Sequence, residues 1–84
     1  MNLNKLYIIG GASSGLGYEY AITLAKKNKV IGLYNSSKHK SLKNLKFYKI
    51  NLEKKKEIFS FFKKSKNELD KFKKIIFINF ATYK

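Results

Sequence analysis

The 84 residues allow a single domain of modest core and no second one. Hydrophobic residues make up 44% of the chain, too many for a disordered tail, and the absence of cysteine excludes disulfides and cysteine-based metal sites. The formal net charge of +14 rests on lysine alone, because no arginine occurs. Base and phosphate recognition favours arginine's planar fork. The richness in Asn, Ile, Phe and Tyr is that of A/T-rich codons, so the lysines read as a solvated surface and no nucleic-acid partner is expected. The charge should still attract anionic ligands. No apolar run approaches the roughly 18 residues of a membrane span. Met1 to Lys5 leads directly into a strand pattern, without room for a signal peptide. The expectation is a cytoplasmic chain with no membrane association.

Lys5 to Ile9 is a continuous apolar run ended by two glycines, the pattern of a strand buried on both faces. From Gly15 to Lys27 a helix is expected, with Leu16, Tyr20, Ala21, Leu24 and Ala25 forming one apolar stripe. Asn28 follows where a helix end wants a residue tolerant of the left-handed conformation. Val30 to Tyr34 reads as a second strand, Asn35 to Asn44 as a polar loop or short weak helix, and Leu45 to Leu52 as a third strand. A helical period returns between Glu53 and Phe72, where Ile58, Phe61, Phe62, Leu69 and Phe72 are expected in the core. Ile75 to Phe80 reads as the fourth strand. Strands alternating with helices predict right-handed βαβ units and a four-stranded parallel sheet, and double winding predicts the order 3-2-1-4. The expected class is α/β, a partial Rossmann fold.

The stretch between the first strand and the first helix carries the functional signal. Gly11 permits a tight turn, Gly15 lets backbone come close to a pyrophosphate, and Gly17 lets the helix pack tightly on the sheet. N–H groups at the helix start, aided by the helix dipole, would hold phosphate oxygens, and Ser13 and Ser14 offer hydroxyl donors.

With these residues in place the chain resembles the short-chain dehydrogenase/reductase family, whose signature is T-G-x-x-x-G-x-G. Gly10 to Gly17 matches all three glycines, while Gly10 stands where the family has Thr, removing a hydroxyl that would brace the turn. The family places an Asp against the adenine at the end of the third strand; here Asn51, followed by Leu52, stands there. After the fourth strand the family's N-N-A-G becomes Asn79-Phe80-Ala81-Thr82, with Asn79 and Ala81 matching. The resemblance covers residues 1–84 as the N-terminal half of an NAD(P)-binding domain. It implies cofactor contacts from Gly11, Ser13, Ser14, Gly15, Leu16, Gly17, Tyr34, Asn35, Ser36, Asn51, Leu52, Asn79 and Ala81.

Cofactor choice falls at the end of the second strand, where an Asp or Glu would bind the ribose 2′-hydroxyl of NAD. Tyr34-Asn35-Ser36-Ser37-Lys38 has no acid there, so NADP is favoured over NAD. The family's chemistry is hydride transfer between NAD(P)H and a carbonyl or alcohol substrate. Its Ser and Tyr-x-x-x-Lys residues lie well beyond the fourth strand. Tyr83-Lys84 has the wrong spacing and comes too early, so no catalytic residue is assigned and the chain reads as a fragment of an oxidoreductase. His39 lies in a polar loop without a partner carboxylate, and the five acids show no pairing suited to metal binding. The alternatives are a non-catalytic nucleotide-binding half-domain and, further off, a basic nucleic-acid-binding module. A fourth strand without its neighbour predicts an unpaired edge, exposed Ile and Phe, and self-association of the isolated chain.

Overall fold

A computed structural model describes residues 2–12, 15–35 and 41–80. Strand β1 (Asn2–Gly10) leads into helix α1 (Gly15–Ala25) and strand β2 (Asn28–Tyr34). Strand β3 (Leu45–Lys49), helix α2 (Lys55–Lys64), the short helix α3 (Lys66–Leu69) and strand β4 (Lys74–Asn79) follow. The four strands form one sheet in the order β3-β2-β1-β4, and every pairing is parallel. This is the expected α/β architecture, a partial Rossmann-like fold.

The continuous apolar runs of β1 and β2 are explained by burial on both faces. In β1, Leu6 and Ile8 point into one core with Ile31, Leu33, Phe61 and Leu69, whereas Ile9 points into another with Ala12, Ala21, Ala25, Val30 and Leu45. Helix α1 closes the second core, and α2 with α3 closes the first, so the sheet is wound on both sides. Tyr48 meets Phe61 at 5.5 Å between ring centroids in the first core. In the second, Tyr18 stacks on Phe47 at 6.4 Å and carries α1 out to the edge strand.

Helix α1 buries part of its predicted stripe, with Ala21 and Ala25 buried and Leu24 half-buried, but it adds Gly17 and leaves Leu16 and Tyr20 outside. Gly17, Ala21 and Ala25 are buried at four-residue spacing, while Leu16 is 77% exposed and Tyr20 42% exposed. Small residues win that face because they bring the helix backbone close to the sheet. The second helical region is also corrected. It breaks at Ser65 into α2 and α3, and of its expected core residues Phe61 and Leu69 are buried, Ile58 and Phe72 half-buried, and Phe62 exposed at the surface. Phe62 instead packs edge-on against Phe61 at 5.3 Å.

Two asparagines close the carbonyl end of α1, in roles the sequence assigned differently. Asn28 begins β2 with ordinary backbone, and its side-chain Nδ2 donates to the Leu24 carbonyl at 3.1 Å. The left-handed residue is Asn44, with φ of 66°, whose Nδ2 donates to the Ala25 carbonyl at 3.3 Å and whose own carbonyl accepts from Val30 N–H at 2.7 Å. Asn44 thus ties the end of α1, the start of β2 and the entry to β3 together.

Strand β3 ends at Lys49, earlier than Leu52. Ile50 N–H still donates to the Tyr34 carbonyl at 2.8 Å, but Asn51 then folds into a turn: its Oδ1 accepts from Glu53 N–H at 3.0 Å and its carbonyl accepts from Lys54 N–H at 3.0 Å. This side-chain turn is the local bond Asn offers in place of the ladder.

Asn44→Ala should lower unfolding free energy by about 1–2 kcal/mol, because alanine is strained at positive φ and the bond to Ala25 is lost. Asn44→Gly should cost less, keeping the backbone and losing only the bond. Urea denaturation of the two variants checks the order.

Candidate functional site

The carboxyl ends of the strands place the glycine turn. Strand β1 is central, its chain leaving toward β2 through α1 on one face, whereas β3 returns through α2 and α3 on the other face to reach β4. The two connections diverge between β1 and β4, beyond Gly10 and Asn79, the position where open α/β sheets receive ligands.

The turn itself is held from three sides. Gly11 and Gly15 have φ of 69° and 58°, values that side-chain-bearing residues adopt only with strain. Ala12 N–H donates to the Leu33 carbonyl at 3.0 Å, fastening the turn to the end of β2. On the other side Phe80 N–H donates to the Gly10 carbonyl at 2.8 Å, continuing the β1–β4 ladder. A Cβ on Gly17 would overlap the Gly11 carbonyl oxygen and come within 3.3 Å of the Phe80 Cβ. Helix α1 therefore begins in backbone contact with the turn. Over Gly15, by contrast, a Cβ would meet nothing within 4 Å, so the backbone there faces open space. The first turn of α1 carries no acidic side chain, leaving the positive end of its dipole uncompensated.

Gly10 has a physical reason that the motif comparison missed. A Cβ there would lie 2.7 Å from Asn79 Oδ1 and 2.8 Å from Leu52 Cδ1. The room that a larger residue would need is filled by Asn79, at the end of the neighbouring β4, and by Leu52, from the turn that follows β3. The loss of a Thr hydroxyl is thus accompanied by packing from across the sheet. Parallel pairing puts Gly10 opposite Asn79, a juxtaposition no local pattern reveals.

A second cluster forms at the ends of β2 and β3. Gly11, Leu33, Tyr34, Asn35, Asn51 and Leu52 line one shallow cleft of about 50 Å³, together with Ile50. Five of the expected contact residues, Gly11, Tyr34, Asn35, Asn51 and Leu52, therefore meet at one place. Asn51 is positioned on both sides: its backbone N–H donates to Glu57 Oε1 at 2.9 Å, and its Oδ1 is engaged by Glu53 N–H. Its remaining side-chain polar group is the amide Nδ2, a donor. Glu57, in the first turn of α2, went unremarked in the sequence; an acid three or four residues into a helix after an Asn turn is its only local signal.

Leu16, 77% exposed, projects from the start of α1 without a core role. Ser13, Ser14, Ser36 and Ala81 lie outside the described residues, as do Lys38, His39, Tyr83 and Lys84. Tyr34 and Lys38 do carry a Tyr-x-x-x-Lys spacing, but Tyr34 ends β2, beside the cleft, and not beyond the fourth strand. Among the described residues no three His, Cys, Asp or Glu side chains gather as a metal site, and no helix is long and apolar enough to cross a membrane. Comparison with protein-family models, curated proteins and solved structures gives no match to this chain.

Gly10→Thr, which installs the threonine of the motif that the turn resembles, should destabilise the fold by about 1–3 kcal/mol through overpacking, and Leu52→Ala in the same chain should relieve part of that cost. Gly17→Ala should cost at least as much, because the atom it meets is backbone. Thermal unfolding of the single and double variants checks both. Glu57→Ala should cost about 1–2 kcal/mol, from the charge-assisted bond to Asn51 and the helix N-terminal charge.

Proposed function

We propose that the carboxyl end of the sheet binds a dinucleotide, and that the chain is the NAD(P)-binding portion of an oxidoreductase of the short-chain dehydrogenase/reductase type. The observation that carries this reading is the glycine turn: two positive-φ glycines, open space over Gly15, and α1 starting against the Gly11 carbonyl at the divergence of the two crossovers. That arrangement supports a pyrophosphate resting on the first N–H groups of α1, with charge neutralised by the helix end. The cleft of Gly11, Tyr34, Asn35, Asn51 and Leu52 would receive the adenosine end, with Ser36 adjoining in sequence, and Asn79 and Ala81 would border the other half.

The ribose end supports NADP over NAD. No acid follows β2 through Lys38, so nothing there repels a 2′-phosphate, and the net charge of +14 favours the more anionic cofactor. The bound group would serve hydride transfer with a carbonyl or alcohol substrate, using catalytic residues that this reading does not assign within residues 1–84. The non-catalytic half-domain differs only in lacking that chemistry and shares the same binding site.

Titration calorimetry or fluorescence with NADP and NAD tests the reading. NADP should bind more tightly, and Gly15→Val should weaken it about tenfold or more by filling the open space at the phosphates, beyond its backbone strain. Circular dichroism separates lost binding from lost fold. Equal, weak binding of both cofactors that survives Gly15→Val would overturn the proposal.

A further inference from the structure

At the other end of the sheet, a cavity of about 560 Å³ is lined by Lys29, Lys46, Lys64 and Lys71, with Glu68, Asn67 and Phe72. Its position follows from the register. Lys29 is paired with Leu6 and Lys46 with Ile31, so both lysines stand on the face that α2 and α3 cover, at the amino ends of β2 and β3. Helix α2 runs back toward that end and brings Lys64 in its last turn, while Lys71 and Phe72 follow α3. Four separate segments thus contribute one lysine each to the lining of the same cavity.

Three features distinguish this cluster from lysines that merely cover apolar surface. None of the four forms an ion pair among the described residues, where the one such pair is Lys66 with Asp70 at 3.1 Å on the exposed side of α3. Only one carboxylate, Glu68, shares the cavity, and it lies beyond ion-pair distance of all four. A concave wall backed by low-dielectric core concentrates the field of those cations. The carbonyl end of α2 accounts for a cation at Lys64, but not for the three from other segments.

We infer that this cavity is an anion-binding site separate from the glycine turn, for a compact ligand carrying several charges on phosphate groups. Phosphate chemistry fits better than a single carboxylate because a compact phosphorylated ligand concentrates several negative charges against several lysines. Lysine ammonium binds by charge density and not by planar geometry. Phe72 and Asn67 give an attached organic group one apolar and one polar surface. The volume lies within the range of small-ligand sites.

Inorganic tripolyphosphate is the probe, with inorganic monophosphate as its weaker-charged counterpart and a short DNA duplex as the extended polyanion. On the unaltered chain, amine acetylation followed by mass spectrometry should show Lys29, Lys46, Lys64 and Lys71 protected by tripolyphosphate and Lys54, Lys55 and Lys56 unprotected. Calorimetry should show tripolyphosphate binding lost about tenfold or more in Lys29→Gln/Lys64→Gln/Lys71→Gln, and changed less than about threefold in Lys54→Gln/Lys55→Gln/Lys56→Gln, which removes the same charge elsewhere. Equal losses in the two variants, protection spread over all lysines, tighter binding of the duplex than of tripolyphosphate, or no binding would each overturn the inference. Should the pocket variant fail to fold, the acetylation pattern alone decides. Protection of Lys29, Lys46, Lys64 and Lys71 by tripolyphosphate should persist in Gly15→Val, so failure here and failure of the dinucleotide site remain distinguishable.

Discussion

The backbone contact between the start of α1 and the Gly11 carbonyl is the constraint on which the rest of the structure depends. It sets the helix so low over the sheet that the fully buried positions beneath it are Gly17, Ala21 and Ala25. Ile9, Val30 and Leu45 pack under α1, with Ile22 and Leu24 of the helix half-buried at the side of this core. The same contact fixes the start of α1 beside the ends of β1 and β4. Packing and the proposed phosphate contact therefore share one geometric cause, and a change at Gly17 disturbs both.

The other face is built on a different principle. There α2 and α3 contribute large side chains, Phe61 and Leu69, against Leu6, Ile8, Ile31 and Leu33. The layer is anchored at its upper end by Glu57 on Asn51 N–H, so the helix that closes this core also steadies the cleft at the ends of β2 and β3. One face brings backbone close with small residues, whereas the other fills distance with aromatic rings. Gly10 is enclosed by the two ends of the second crossover, Leu52 where it leaves β3 and Asn79 where it finishes in β4.

Sheet order and strand identity were legible in the sequence because two-sided burial leaves an unbroken apolar run, and alternation with helices leaves few topologies. The inward face of α1 was legible at Ala21, Leu24 and Ala25 but not at Gly17, because hydrophobic periodicity rewards Leu16 and Tyr20, while close approach rewards a residue that a hydropathy pattern barely registers. Asn28 and Asn44 were equally plausible left-handed positions by residue type. What separates them is the length of chain between α1 and β2, which leaves Asn28 already in the strand and gives the turn to Asn44. The break at Ser65 has no glycine or proline to announce it, so one long helical period hid two helices. At the candidate site, the glycines could be read from spacing, but the filling of Gly10's space by Asn79 and Leu52 depends on pairing across the sheet.

Strand β4 pairs with β1 alone among the described residues, and on the α2 side its Ile75 and Phe77 stay 43% and 46% exposed. These two side chains lie in a chain of net charge +14, with Lys73 and Lys74 at the strand's start. Long-range repulsion between like-charged molecules is thereby set against short-range apolar attraction along an open strand edge. Added salt weakens the first, cutting its reach to about 10 Å at 0.1 M, and leaves the second intact. Ionic strength therefore shifts the balance between the two.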